Sequence, residues 1–182
     1  MAVVFCLHIQ ISGAKMNKFS FLIILLFFCI VSLSGNNDSA QTNNIIKGKV
    51  IKVADGDTIT ILNSQNKQIK IRLYGIDAPE KAQDFGNVSR EYLANLVAGK
   101  NIDATVIDID RYGRSVSRIN IDGKEVAEEM LKSGLAWLYT YYCKIPECKQ
   151  WKELETQAKT AKIGLWSNPT AQEPWKWRKE RK

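Results

Sequence analysis

The fold of this chain is decided by residues 58–74, which read TITILNSQNKQIKIRLY. The first five residues are mostly alternating threonine and isoleucine, and further on Ile69, Ile71 and Leu73 alternate with polar residues. Such alternation sends successive side chains to opposite faces of a β-strand. The residues between the two runs, NSQN at 63–66, favour a turn. The stretch therefore predicts two antiparallel strands joined by a tight turn.

The flanking segments extend this hairpin into a barrel. Residues 45–53 predict a preceding strand, which the turn Asp55-Gly56-Asp57 joins to the hairpin. Downstream, the periodicity predicts helices at 88–97, 126–132 and 149–161, strands at 102–109 and 115–121, and an extended aromatic segment at 136–142. This order predicts an α+β fold, a five-stranded OB-type β-barrel with about three packed α-helices.

The N-terminal residues have the pattern of an export signal. Met16-Asn17-Lys18 precedes an apolar run at 19–33, and small and polar residues follow it. The run is short for a membrane span, which needs roughly 20 apolar residues. We predict a signal peptide and upstream extension at 1–40, a single folded domain at 41–170 and a basic, Trp-rich tail at 171–182. The protein would be secreted or periplasmic, with no stable membrane span after cleavage; an uncleaved leader tethering it to the membrane is the alternative.

The composition limits the chemistry that is available. The chain has 182 residues and a net charge of +7, with 26 basic and 19 acidic residues. Without Lys15, Lys18 and Asp38 of the predicted leader, 24 basic and 18 acidic residues give +6. This charge favours polyanionic partners such as nucleic acid. The single histidine, His8, lies in the leader, so mechanisms built on histidine are excluded.

Two cysteines and the C-terminal tail each permit more than one interpretation. Cys143 and Cys148 suit a small disulfide-closed loop in an oxidising compartment, worth about 2 kcal/mol in the chain-entropy model. Half a zinc site is the weaker alternative, because no second cysteine pair or histidine remains outside the leader. The basic tail with its interleaved tryptophans would track a phosphate backbone or an anionic membrane. Equally, the tail would be a disordered, solubilising end whose tryptophans dock on the domain.

Carboxylates at two predicted strand ends suggest a metal site. Asp57 follows the first turn and Asp77 follows the third strand, and neighbouring strand ends of a meander meet in space. Two converging carboxylates without sulfur or imidazole suit calcium or magnesium. Pro79 keeps Ala78 out of the helical region, which would aim the Ala78 backbone carbonyl at the metal. For Asp55, a role in the turn itself is favoured.

Two arginines and a glutamate complete the candidate site. Arg72 lies on the face of its strand opposite the apolar stripe, and Arg114 directly follows a glycine turn. Each guanidinium can bind phosphate oxygens with two parallel hydrogen bonds. Glu80, three residues after Asp77, is the candidate general base for an attacking water. Together these groups predict hydrolysis of a phosphodiester.

Four strings of residues, in this order, resemble the staphylococcal nuclease (thermonuclease) family. They are Asp55-Gly56-Asp57-Thr58, Arg72-Leu73-Tyr74-Gly75-Ile76-Asp77-Ala78-Pro79-Glu80, Asp110-Arg111-Tyr112-Gly113-Arg114 and Gly164-Leu165-Trp166-Ser167. The resemblance covers roughly 46–168. It implies an OB-type barrel, and a calcium-dependent nuclease that cleaves DNA and RNA and leaves 3′-phosphate ends.

The resemblance also implies a role for each site residue. Asp57, Asp77 and the Ala78 carbonyl look like calcium ligands, with Asp55 behind them. Arg72 and Arg114 look like the pair that binds the phosphate and stabilises the transition state, and Glu80 looks like the base. We expect a monomer acting on single-stranded or locally opened nucleic acid.

The tyrosines of the chain suggest a place for the bases. Tyr139, Tyr141 and Tyr142, together with Tyr112, would stack on bases or hydrogen-bond a phosphate. Barrel packing is the alternative for at least one of the first three. Two other functions compete with the nuclease: a non-catalytic nucleic-acid-binding barrel, and a metal-dependent phosphatase for small phosphomonoesters.

Overall fold

The computed structural model describes residues 44–181. The predicted signal peptide at 1–40 lies outside that range. No helix between residues 44 and 181 is both long enough and apolar enough to cross a bilayer.

Eight strands and four α-helices make up the described part of the chain. The strands are β1 (Ile45–Val53), β2 (Thr58–Leu62), β3 (Gln68–Leu73), β4 (Ile76–Asp77), β5 (Asn101–Ile109), β6 (Ser115–Ile121), β7 (Lys124–Glu125) and β8 (Trp137–Leu138). The helices are α1 (Gly86–Val97), α2 (Val126–Lys132), α3 (Cys148–Thr160) and α4 (Pro174–Glu180), and a 3-10 turn covers Gly164–Ser167.

Five of the strands close into a barrel. They follow the order β3-β2-β1-β5-β6, and a parallel pairing between β3 and β6 closes the sheet. The neighbouring pairs are otherwise antiparallel, so β1, β2 and β3 form the meander that the sequence predicts. Irregularities at Val50/Lys52 in β1 and Val106/Asp108 in β5 bend the strands, as closure of a small barrel requires.

The barrel core follows from strand alternation. Ile71 and Leu73 point inward and are buried, whereas Lys70 on the same strand is exposed. Ile59, Ile61 and Ile119 complete this set with no exposed surface. Helices α1, α2 and α3 pack against the barrel and against each other through residues such as Leu93, Met130 and Trp151, which are also fully buried. The predicted α+β fold, an OB-type five-stranded barrel with packed helices, is confirmed.

The region after α2 differs from the prediction. The expected extended segment at 136–142 is a strand only at Trp137–Leu138, where β8 pairs with β4, and the chain turns at 140–142. The turn returns the chain toward α3, and the disulfide between Cys143 and Cys148 confirms the predicted loop, with the two Cα atoms 5.8 Å apart. Gly75, with φ of 74°, lies against this loop, since an added Cβ would be 2.9 Å from the Cys143 sulfur.

The tail is more ordered than its composition suggests. Residues 174–180 form α4, which begins with Pro174 at its first position, where a missing N–H costs nothing. Trp175 stacks on Tyr139 with ring centroids 4.8 Å apart and planes 4° apart. It also meets the edge of Trp137 at 6.1 Å. Docking of Trp175 agrees with the second interpretation of the tail, but the helix at 174–180 corrects its expectation of a disordered end, because the contact of Trp175 with Tyr139 holds this segment in place.

Candidate active site

A cavity of about 950 Å³ opens beside β3, between the turn that precedes β2 and the turn that joins β5 to β6. Its lining contains all the predicted site residues except Asp77, which has no exposed surface, and it also contains Lys70, Lys144 and Arg178. The strand ends thus gather residues that are far apart in the chain around a single opening.

Asp57 is fixed by the turn that precedes it. Its carboxylate accepts hydrogen bonds from the Thr58 hydroxyl at 2.9 Å and from the Ala78 amide at 2.8 Å. The Asp57 amide donates to Asp55 at 3.1 Å, so Asp55 has the turn role that its sequence position favours. Asp57 is 3% exposed, and its two carboxylate oxygens are therefore held in defined directions.

Arg72 joins the two predicted metal ligands. One terminal nitrogen donates to Asp57 at 2.5 Å, and the other donates to Asp77 at 2.7 Å and to the Ile76 carbonyl at 3.2 Å. Asp57 and Asp77 therefore lie on the same guanidinium, which agrees with the predicted convergence. The sequence indicated the face on which Arg72 lies, but not that its side chain engages both carboxylates.

Burial and neighbouring charges set the protonation of these acids. Burial raises the pKa of Asp55 to about 7, and the adjacent charge of Asp57 adds to the rise. Burial opposes ionisation of Asp57 as well, but Arg72 and the hydrogen bonds from Ala78 and Thr58 bring its pKa below the ordinary value. Near neutral pH the turn thus carries one firm negative charge at Asp57.

Asp77 belongs to a second, two-stranded sheet outside the barrel. β4 pairs with β8, which aligns Asp77 with Trp137. The Leu138 amide of β8 donates at 3.1 Å to Glu155 of α3, a carboxylate that is 2% exposed. Helix α3 thereby fixes the strand on which Asp77 depends.

Arg114 leaves the β5–β6 hairpin toward the same cavity. Its Nε donates to Asp110 at 2.7 Å, and the Asp110 carboxylate also accepts from the backbone amides of Tyr112 and Arg114. Burial alone would raise the pKa of Asp110, but the backbone and side-chain hydrogen bonds from Arg114 and Tyr112 together bring it below the ordinary value. A terminal nitrogen of Arg114 approaches the Thr58 hydroxyl at 3.4 Å. Among residues 44–181 its other terminal nitrogen has no hydrogen-bond partner.

Glu80 meets a residue that the sequence analysis did not assign to the site. Arg178 of α4 donates to Glu80 at 2.6 Å through one terminal nitrogen. The same nitrogen lies 3.2 Å from one oxygen of Asp77, and the second terminal nitrogen donates to the other oxygen at 2.8 Å. Within a tail of many basic residues, the only hint was that Arg178 follows two tryptophans, one of which anchors the helix.

The predicted tyrosines line one side of the opening. Tyr139 packs between Trp175 and the edge of Tyr142, so packing accounts for its position. Tyr141 and Tyr142 are 71% and 58% exposed and lie edge to face at 4.9 Å. On the other side, Tyr112 is exposed and lies 4.9 Å from the Arg111 guanidinium. Aromatic faces therefore flank the guanidiniums and carboxylates.

The donor set fits a hard cation. In the described range, no group of three or more His, Cys, Asp or Glu side chains has the geometry of a metal site. The two carboxylates of Asp57 and Asp77 supply oxygen ligands only, in a buried setting. Calcium accepts such ligands and completes its shell with backbone carbonyls, water or substrate oxygens. The residues present are therefore compatible with calcium.

Gly56 is required for the approach of the turn to α1. A Cβ at this position would lie 1.8 Å from the Ser89 hydroxyl and 2.7 Å from the Ala78 Cβ. We expect Gly56→Ala to destabilise the protein by about 2 kcal/mol, as overpacking of a close contact does. Urea unfolding measures this loss. Ser89→Ala is the second substitution of the test, because it removes the hydroxyl oxygen that would lie nearest to the new Cβ. The double variant should lose less unfolding free energy than the sum of the losses in the two single variants. If Gly56→Ala were as stable as the wild type, the close contact between the turn and α1 would be contradicted.

Comparison with known proteins identifies sequence relatives. A family model described as staphylococcal nuclease homologue matches residues 70–168. A protein named micrococcal nuclease from Shigella flexneri is 39% identical over 145 residues, covering 75% of this chain and 82% of that protein. An uncharacterized endonuclease from Escherichia coli O157:H7 is 42% identical over 134 residues, covering 73% of this chain and 85% of its own length.

Longer plant proteins are similar over the same region. A probable staphylococcal-like nuclease from Oryza sativa is 46% identical over 116 residues, which are 64% of this chain and 34% of that protein. An uncharacterized protein from Capnoides sempervirens is 43% identical over 116 residues, or 33% of its length. The chain thus spans about a third of these plant relatives and most of the bacterial ones.

Proposed function

Because the chain belongs to the staphylococcal nuclease family, we propose that it is an exported, calcium-dependent nuclease that cleaves DNA and RNA. Membership in the family makes it a phosphodiester hydrolase. Calcium, the range of substrates, 3′-phosphate products, monomeric action and export are the proposed part.

One observation carries the proposal: two guanidiniums, a glutamate and the buried Asp57 carboxylate line a single open cavity, and the second buried carboxylate, Asp77, is bonded to one of those guanidiniums. Arg72 bridges Asp57 and Asp77, while Arg114 and Glu80 line the same cavity. With His8 in the leader and no other histidine in the chain, these residues are the groups available to activate water and bind phosphate. The set suits a charged phosphodiester better than an uncharged substrate.

Each side chain has a distinct part in the proposed reaction. Asp57 and Asp77 would hold the calcium ion, with Ala78 offering its carbonyl, and bound calcium would offset charge on the phosphate. Glu80 accepts a proton from the attacking water. Arg114 donates its free N–H groups to the phosphate oxygens, and Arg72 orients both carboxylates. Attack in line with the 5′ oxygen breaks the P–O5′ bond. The water oxygen stays on the 3′-phosphate, and the departing 5′ oxygen takes up a proton from solvent to become a 5′ hydroxyl.

The surroundings of the cavity support a flexible polymeric substrate. The exposed rings of Tyr112, Tyr141 and Tyr142 offer faces on which unpaired bases stack. Single-stranded or locally opened nucleic acid presents such bases, whereas a paired duplex hides them. The positive charge of the chain favours association with any polyanion. These features favour a polymer over a small phosphomonoester.

Export is supported by the chemistry of the loop before α3. A disulfide joins Cys143 and Cys148, and such bonds persist mainly in oxidising compartments. The pattern of a signal peptide at the N-terminus agrees with this. We therefore propose a secreted or periplasmic protein.

The proposed function is tested by cleavage with and without calcium. The full-length chain, expressed with its own leader and purified, is incubated with single-stranded DNA, duplex DNA and RNA, in calcium or in excess chelator. We expect cleavage of both nucleic acids that requires calcium and is faster on single strands, because the cation offsets phosphate charge. The 3′ ends of the products should resist ligation to a 5′-phosphorylated adaptor until a phosphatase removes their 3′-phosphate. Equal cleavage in chelator would contradict the role of calcium, and binding without any cleavage would indicate the non-catalytic module.

A further inference from the structure

Arg178 reaches the candidate active site from outside the region that the family model matches. That match ends at residue 168, and Arg178 lies in α4. Its guanidinium nevertheless makes three contacts shorter than 3.3 Å with the carboxylates of Asp77 and Glu80. A side chain from the tail thus contacts a predicted metal ligand and the predicted base at the same time.

The beginning of α4 is anchored, which delivers Arg178 to this position. Trp175 stacks on Tyr139, Pro174 is buried, and the Gln83 side chain donates to the backbone carbonyl of Gln172 at 2.5 Å. Arg178 follows Trp175 by three residues and therefore lies on the same side of the helix. The anchor makes the approach of Arg178 a property of the folded domain rather than of a loose tail.

The contacts of Arg178 engage both oxygens of the carboxylate that would hold a cation. Asp77 has no exposed surface. One of its oxygens accepts from both Arg72 and Arg178, and the other accepts from Arg178. One carboxylate oxygen of Glu80 accepts a hydrogen bond from the same guanidinium. A divalent cation that binds Asp77 must therefore share this carboxylate with a positive charge, and like charges at such distances repel.

We propose that Arg178 is an internal counter-ion of Asp77 and Glu80 that competes with the divalent cation. In the absence of the cation it neutralises the buried carboxylate, and it must give up this contact when the cation binds. Helix α4 thereby raises the calcium concentration that the enzyme requires. This inference rests on the calcium dependence proposed above.

Calcium binding to the full-length protein tests the inference without any substrate. Isothermal titration calorimetry is carried out on the wild type, Arg178→Gln and the control Lys179→Gln. Lys179 is the neighbouring residue on α4, is exposed, and forms no ion pair within the described residues, so its replacement removes the same charge without the contact. We expect calcium to bind Arg178→Gln about tenfold more tightly, a coupling of ordinary size. Lys179→Gln should stay within about twofold of the wild type.

Thermal unfolding supplies a second measurement. In chelator, Arg178→Gln should lower Tm, because Asp77 loses a counter-ion. In saturating calcium the difference from the wild type should shrink, since the contact is already broken in the wild type. If Arg178→Gln does not fold, Arg178→Lys retains the charge but loses the two-pronged contact, and calcium should bind it more tightly than the wild type.

The possible outcomes separate the inference from the proposed function. Equal or weaker calcium binding by Arg178→Gln would overturn the inference while leaving calcium dependence intact. Unchanged calcium affinity with cleavage reduced a hundredfold would overturn it in favour of a substrate contact. Failure of calcium to bind any variant would instead contradict the calcium requirement itself.

Discussion

Replacing Glu80 by glutamine should lower kcat by roughly 10²- to 10⁴-fold, the range for loss of a general base. Glutamine has nearly the same size, and its oxygen can still accept the hydrogen bond from Arg178 that Glu80 accepts at 2.6 Å. The fold and the position of α4 should therefore persist, while the side chain can no longer take a proton from water. Single-turnover cleavage at saturating calcium and substrate measures the effect, and Tm verifies the fold.

The matched control for this substitution is Glu91→Gln. Glu91 lies on α1 with a side chain that is 67% exposed, and it pairs only with the neighbouring Arg90 among residues 44–181. Removing its charge should leave kcat within about twofold of the wild type, as for other exposed ion pairs. A wild-type kcat for Glu80→Gln would exclude Glu80 as the base. A normal kcat with a higher calcium requirement would assign it to the cation instead.

Replacing Arg114 by alanine should lower kcat by roughly 10²- to 10³-fold, the cost of losing one preorganised donor to a transition-state oxyanion. The bond from Arg114 Nε to Asp110 directs the guanidinium, and the contact with Thr58 links it to Asp57. Its remaining N–H groups are available for phosphate oxygens. Since the charge on the phosphate grows as water attacks, the loss should appear in kcat more than in KM.

Two neighbouring substitutions sharpen this prediction. Arg114→Lys keeps the charge but not the planar fork, and we expect it to recover only part of the lost kcat. Arg111→Ala removes an exposed guanidinium from the same turn, where it lies against Tyr112, and should alter KM with little effect on kcat. Full turnover by Arg114→Ala would remove Arg114 from the phosphate-binding role.

Strand periodicity predicted the part of the site that the barrel itself builds. The alternation around Ile71 and Leu73 predicted that Arg72 lies on the other face of β3. The positions of Asp57 and Asp77 at strand ends predicted that their carboxylates converge. Both inferences depend on backbone geometry that a local pattern encodes. The pattern does not reveal which partner a long side chain chooses, so the bridge from Arg72 to both carboxylates required the structure.

Helix α4 and Arg178 lay beyond the reach of sequence patterns for a physical reason. A seven-residue helix is unstable on its own, and α4 forms where Trp175 finds the ring of Tyr139. That contact joins two distant parts of the chain, which a local pattern does not encode. The same holds for the tyrosines. Tyr139 and Tyr141 are the same residue type two positions apart, yet Tyr139 packs on Trp175 and Tyr141 is exposed.

The parallel pairing of β3 with β6 has a consequence for how the enzyme loses activity on heating. It sets Ile71 beside Ser115 and Arg72 beside Val116, and so holds Arg72 and Arg114 on adjoining backbones. We expect that local opening of the β3–β6 pairing on heating would separate the two guanidiniums before the rest of the barrel unfolds. On heating, the cleavage rate should therefore fall at a lower temperature than the helical circular-dichroism signal. The cleavage rate would then report local opening of the barrel before global unfolding.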